Sequence, residues 1–129
     1  MQISPIKGQG VTILVVDDDA LITLNTADQL SELGHAPLEA FSAAEALDIL
    51  KRQPQIAALI TDYSMPGMNG VELAAAARAI RPDLPILLAT GYAELPEDAP
   101  SDLPRLEKPF RQEELGQKIE ALLGVSAAE

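Results

Sequence analysis

The stretch ILVVDDDALI, residues 13–22, runs four branched aliphatics straight into three consecutive aspartates and then resumes an apolar pattern at once. An unbroken apolar run, with no polar residue at alternate positions, suits a strand covered on both faces. Adjacent carboxylates repel one another. Their crowding at the end of a buried strand therefore needs something that offsets the repulsion.

Outward from that stretch the chain alternates between two periods. Val11–Val16 reads as a strand. Ala20, Leu21, Leu24, Ala27, Leu30 and Leu33 then recur at helical spacing, with Gly34 offering the C-cap. A weaker strand follows over Ala36–Ala40. Ser42-Ala-Ala-Glu45 is a capping-box sequence that opens a helix with Ala43, Leu47 and Leu50 on one face, ended by Gln53-Pro54. Ile56–Ile60 is a second fully apolar run. Gly70–Ile80 reads as a helix with Leu73, Ala76, Ala77 and Ile80 inward, stopped by Arg81-Pro82. Ile86–Ala89 is the third apolar run. After a proline-rich stretch come a short strand, Leu103–Glu107, and a last helix with Leu115, Ile119 and Leu122 on one face.

Strands alternating with helices imply right-handed βαβ units and a parallel sheet. The second and fifth strands carry Pro37 with Glu39, and Pro104, Arg105 and Glu107. Proline cannot donate to a ladder, so these two belong at the edges. The three apolar strands fill the centre, giving the order 2-1-3-4-5 of a flavodoxin-like, doubly wound five-stranded α/β fold. Residues 1–10 read as an irregular lead-in, 11–124 as one domain and 125–129 as a tail.

Composition limits what such a domain does. The 129 residues suit one core, and apolar residues make up 47% of them. Aromatics are only 3%, so aliphatic packing fills that core. The net charge of −11 argues against direct nucleic-acid binding, because nothing would replace counterions along a phosphate backbone. There is no cysteine, hence no disulfide, thiolate metal site or cysteine nucleophile. No apolar run approaches membrane length and no signal-peptide pattern is present. A cytoplasmic protein without a membrane partner is expected. The one histidine, His35, follows Gly34 at a helix end and has no partner for triad chemistry; a structural or solvent-facing role is expected of it.

In a doubly wound sheet the ligand site lies beyond the carboxyl ends of the strands, where the order reverses. Here that is between the first strand, ending in Asp17-Asp18-Asp19, and the third, ending in Thr61-Asp62. Clustered carboxylates make a hard-oxygen site for a divalent cation of the Mg²⁺ type, which offsets their crowding. Asp19 is better placed as the N-cap of the first helix. The fourth strand brings the hydroxyl of Thr90 to the same rim, and Lys108-Pro109-Phe110 follows the fifth. Aspartates, a metal, a hydroxyl and an ammonium form a set suited to a phosphoryl group, with one carboxylate as nucleophile.

The stretches LVVDDD (14–19), TDYSMPGMNG (61–70), LLATG (87–91) and EKPF (107–110) together resemble the receiver domain of two-component response regulators over about residues 11 to 124. The resemblance implies that Asp62 is the phosphoacceptor. It implies that Asp17, Asp18, Asp62 and the backbone carbonyl of Ser64 hold Mg²⁺, with Mn²⁺ able to substitute. Thr90 would bind a phosphoryl oxygen and Lys108 would pair with the phosphoryl group. The donor would be a phosphohistidine of a sensor histidine kinase or a histidine phosphotransfer protein, and the chain would be a signalling phosphoacceptor, not an enzyme. Receivers of this kind have the Lys–Pro bond in cis, which here would aim the Lys108 ammonium back over the strand ends.

Two positions depart from the family pattern. The fifth-strand aromatic, three residues before the lysine, is replaced by Arg105. The segment between Thr90 and Lys108 carries Pro96, Pro100 and Pro104 with Glu94, Glu97, Asp98 and Asp102, so residues 91–104 are expected to be largely irregular and the usual fourth helix short or missing. Phosphorylation is expected to order this segment in place of an aromatic swing. A phosphatase of the haloacid dehalogenase type would need Asp-x-Asp-x-Thr, but Leu21 stands where the threonine belongs. A pseudo-receiver that only binds partners is the other alternative, opposed by the intact Asp17, Asp18, Asp62, Thr90 and Lys108 set. After the last helix only GVSAAE remains; a stand-alone regulator and a receiver of a larger hybrid kinase both fit, and the downstream target is not legible.

Overall fold

A computed structural model describes residues 10–91 and 103–124. The elements are β1 (Thr12–Val16), α1 (Ala20–Glu32), β2 (Ala36–Ala40), α2 (Ala43–Arg52), β3 (Ile56–Asp62), α3 (Gly70–Ile80), β4 (Ile86–Thr90), β5 (Arg105–Glu107) and α4 (Gln112–Leu123). The five strands are parallel, in the order β2-β1-β3-β4-β5. The proline-bearing strand Ala36–Ala40 and the charged Arg105–Glu107 form the edges, as their composition requires. Most of the segment expected to be irregular, residues 92–102, lies outside the described residues, as do the first nine residues and 125–129.

Alternation along the strands sends side chains to two separate cores. Leu14, Val16, Leu59 and Leu88 pack beneath α2 and α3, with Leu50, Leu73 and Ala77. Ile13, Val15, Ile60, Leu87 and Leu106 pack on the other face with Leu30 of α1 and Leu115 and Ile119 of α4. Each fully buried aliphatic side chain stabilises the fold by about 1.5–3 kcal/mol relative to exposure. These layers suffice without large aromatics.

The helix ends follow from local chemistry. Asp19 caps α1, its Oδ1 accepting from the Leu21 and Ile22 N–H groups at 3.0 and 3.4 Å. The far end closes as a Schellman motif. The His35 N–H reaches the Leu30 carbonyl at 2.9 Å, the Gly34 N–H reaches Ser31 at 3.0 Å, and Gly34 takes φ 96°. Ser42 caps α2 through the Glu45 N–H at 3.1 Å. The return bond differs from a standard capping box, because Glu45 accepts from the Phe41 N–H, one residue before the cap, at 2.9 Å. The full reciprocal box appears instead on α3, between Asn69 and Glu72.

Four boundaries and one helix face differ from the sequence reading. The first strand begins only at Thr12, the third continues through Asp62, the fourth through Thr90, and the fifth begins only at Arg105. In α1, Leu21 and Leu24 face solvent, 68% and 52% exposed, whereas Thr23 and Thr26 are buried. The Thr23 hydroxyl donates to the Asp17 and Asp19 carbonyls, both at 3.0 Å, which removes the penalty of burying it. His35 has the expected structural role: its Nδ1 accepts from the Val11 N–H at 3.2 Å and ties the entry of β1 to the α1–β2 turn.

Candidate functional site

The carboxyl ends of β1, β3, β4 and β5 meet at one rim. Asp17 follows β1 directly, and its N–H donates to the Ala40 carbonyl at 3.2 Å. That bond fixes the backbone where the chain turns toward α1. The Asp17 Oδ1 accepts from the Asp19 N–H at 2.9 Å. Asp18 is exposed but keeps a carboxylate oxygen within 4.8 Å of those of Asp17 and Asp62, and the side chain of Asp19 caps the helix. The three neighbouring aspartates therefore do three different things.

Asp62 ends β3 and is 4% exposed, as is Asp17. The tip of Lys108 joins them: Nζ lies 2.6 Å from Asp62 Oδ1 and 3.5 Å from Asp17 Oδ2. The lysine is held by its own backbone, whose N–H donates to the Thr90 carbonyl at 2.7 Å. The Lys108–Pro109 bond is cis, as expected from sequence. Thr90, the last residue of β4, is 7% exposed. Ser64 is exposed in the loop between β3 and α3.

Ligand atoms of Asp17, Asp18 and Asp62 all lie within 4.8 Å of one another. Three carboxylates against one ammonium leave a net local charge of −2 when all are ionised. Hard oxygens at this spacing, two of them shielded from bulk water, fit a divalent cation of the Mg²⁺ class. Burial pushes the Asp17 carboxyl above the ordinary carboxylate value, and the Asp18 charge adds to this. The Asp19 N–H and the Lys108 ammonium pull the other way without prevailing.

Two features went unread in the sequence. A cleft of about 340 Å³ opens beside Lys108, lined by Ile22, Asn25, Thr26 and Gln29 of α1 and by Pro109 and Phe110. The signal was present in α1, where polar residues at 25 and 29 share a surface with apolar ones. The second is the seating of α3 on β3 at Gly70, where an added Cβ would lie 2.4 Å from the Asp62 carbonyl oxygen. Arg105 is exposed on β5, opposite Leu88.

The geometry agrees with what the chain is similar to. A family model described as the response regulator receiver domain matches residues 13–120. A chemotaxis protein CheY homolog of Campylobacter jejuni is 36% identical over 124 residues, covering 91% of this chain and 95% of that protein. A response regulator receiver domain from Clostridium thermocellum superposes with a TM-score of 0.81 at 28% identity, covering 88% of this chain and 94% of that one. The receiver domain of the hybrid histidine kinase CckA superposes with a TM-score of 0.75 at 28% identity, over 87% of this chain and 98% of that one. A flavodoxin-like parallel sheet, a carboxylate cluster where its strand order reverses, a lysine bridging two of those carboxylates and a family match across most of the chain converge: this chain belongs to the response regulator receiver family and is a phosphoacceptor domain of two-component signalling.

Proposed function

We propose that Asp62 is the phosphoacceptor and that it takes its phosphoryl group from a phosphohistidine of a sensor histidine kinase or a histidine phosphotransfer protein. The observation that carries this reading is the Lys108 ammonium 2.6 Å from Asp62 Oδ1, in a cluster of three carboxylates. In the transfer, an Asp62 oxygen forms a bond to phosphorus as the P–N bond to the donor imidazole breaks. The imidazole leaves with the electron pair and is protonated by solvent. Lys108 exchanges part of its pairing with the carboxylate for a phosphoryl oxygen, and the Thr90 hydroxyl, at the same rim, donates to another. Asp17, Asp18, Asp62 and the Ser64 carbonyl would hold Mg²⁺, or Mn²⁺ in its place, which supplies positive charge to the phosphoryl oxygens when bound.

The chain is modified once per event and does not turn over an external substrate, so it acts as a signal carrier and not as an enzyme. The domain proper is residues 11–124, and cytoplasmic residence follows from the proposed donor. Exposed Leu21 and Leu24 support a protein donor, since they present apolar side chains on α1, the helix that also lines the cleft beside Lys108. With Arg105 on β5, output cannot use an aromatic side chain moving inward there. Among the described residues no helix is long and apolar enough to cross a membrane.

Incubation with a small acyl-phosphate donor and Mg²⁺ should add one phosphoryl mass to the intact protein. Asp62→Asn should abolish the adduct and chelation should suppress it. A wild-type yield of adduct on Asp62→Asn would refute the assignment.

A further inference from the structure

Two residues outside the carboxylate cluster converge on one atom, the backbone carbonyl oxygen of Asp62. Thr61 is fully buried, and by strand alternation its side chain lies on the opposite face from Asp62, in the aliphatic layer with its pairing partners Val16 and Leu88. Its hydroxyl donates to the Asp62 carbonyl at 3.0 Å. A hydroxyl in an aliphatic layer costs stability unless it is bonded, so this bond fixes both the threonine rotamer and the carbonyl it serves.

Gly70 approaches the same oxygen from α3. A Cβ placed on Gly70 would lie 2.4 Å from the Asp62 carbonyl oxygen, 2.7 Å from Leu88 Cδ1 and 3.0 Å from the Tyr63 Cα. The missing side chain is what lets the first turn of α3 seat directly on the end of β3. The Gly70 N–H also donates to the Tyr63 carbonyl at 2.8 Å, closing the base of the loop that carries Ser64. The Asp62 carbonyl is thus bonded by Thr61 and packed by Gly70, both from the face that α3 covers, and the same residue carries the carboxylate that meets Lys108.

We propose that Thr61 and Gly70 are positioning residues for phosphoryl transfer: together they set the orientation of the Asp62 peptide, and through it the aim of the Asp62 carboxylate. This rests on the reading of Asp62 as phosphoacceptor. Productive attack needs the reacting atoms about 3–3.5 Å apart and aligned, and a displacement of about 1 Å costs on the order of a hundredfold in rate. Loss of the Thr61 bond should therefore cost about tenfold, and a Cβ at Gly70, which must clear a backbone oxygen 2.4 Å away, should cost at least as much.

The test compares Thr61→Val, Thr61→Ser and Gly70→Ala with wild type, using a small acyl-phosphate donor at saturating Mg²⁺ and following adduct by intact mass. Thr61→Val keeps the shape and removes the donor, whereas Thr61→Ser keeps the donor. The expected result is a maximal rate about tenfold lower for Thr61→Val and at least about tenfold lower for Gly70→Ala, with the half-saturating donor concentration unchanged. Thr61→Ser should recover to within about twofold of wild type. Wild-type rates in Thr61→Val, or an equal loss in Thr61→Ser, would overturn the proposal. If one variant unfolds, the other carries the comparison. If both unfold, the proposal is overturned, because the pair then serves the fold and not the aim of the carboxylate. Failure of the wild-type protein to form an adduct on Asp62 would instead defeat the underlying reading, so the two failures are distinguishable.

Discussion

Replacing Asp17 by Asn should make the metal-free protein more stable and make it indifferent to Mg²⁺. Asp17 is 4% exposed and stands no more than 4.8 Å from ligand atoms of two other carboxylates. At an effective dielectric constant of about 20, each such pair repels by about 3.5 kcal/mol. Asp18 is exposed, so water screens much of its share. Attraction to the Lys108 ammonium at 3.5 Å returns about 5 kcal/mol on the same scale. The pairwise terms nearly cancel, which leaves the desolvation of a buried carboxylate, several kcal/mol in relaxed interiors. Asparagine removes that charge and keeps an oxygen for the Asp19 N–H, so a gain of about 2 kcal/mol is expected at neutral pH. At roughly 4 °C per kcal/mol for a chain of this size, Tm should rise by about 8 °C. Because the folded-state carboxyl titrates above its unfolded value, native Asp17 binds its proton more tightly than the unfolded chain does. The penalty is therefore absent below the unfolded value and complete above the folded one, and the gap between variant and wild type should open as pH rises through that window. With Mg²⁺ at ten times its Kd, wild type should gain about 1.4 kcal/mol, or about 6 °C, and the variant almost nothing. Thermal melts followed by circular dichroism, in chelator and across a Mg²⁺ series, measure both effects. A variant that melts below wild type in chelator, or that shows the same Mg²⁺ shift, would refute the reasoning.

Burial lowers the pKa of His35, against a smaller opposing pull from Glu120, and its neutral Nδ1 accepts from Val11. Its contribution to stability should be complete above the unfolded value and should fall as pH drops from there toward the folded value, so a series of melts from roughly pH 7.5 to 5.5 should show a decline that His35→Gln flattens. Gly34→Ala forces a side chain into φ 96° at the Schellman turn and should cost about 1–2 kcal/mol in a urea titration, with the m-value unchanged. Leu24→Gln, at a 52% exposed position, should change stability by less than about 0.5 kcal/mol while slowing transfer from a phosphorylated histidine protein several-fold relative to a small acyl-phosphate donor. An equal relative effect of the substitution on both donors would remove α1 from the docking surface.

What the sequence made legible follows from where tertiary context dominates. The apolar runs at 13–16, 56–60 and 86–89 admit few roles other than central parallel strands, and Pro37 and Pro104 push their own strands to the edges. From that order the meeting of Asp17, Asp62, Thr90 and Lys108 at one rim follows almost by topology. The faces of α1 were not legible, because periodicity counts apolar residues and cannot see hydrogen bonds. Thr23 is buried because the Asp17 and Asp19 carbonyls accept its hydroxyl. Leu21 and Leu24 are thereby turned outward. The same limit hid Thr61 and Gly70, whose importance lies in a single backbone oxygen that they share. A pattern of residue types shows which groups gather at the strand ends. It does not show which neighbours hold the peptide of the reacting group in place, and that information appears only when the carbonyl of Asp62 is seen to meet both a buried hydroxyl and a helix that arrives without a side chain.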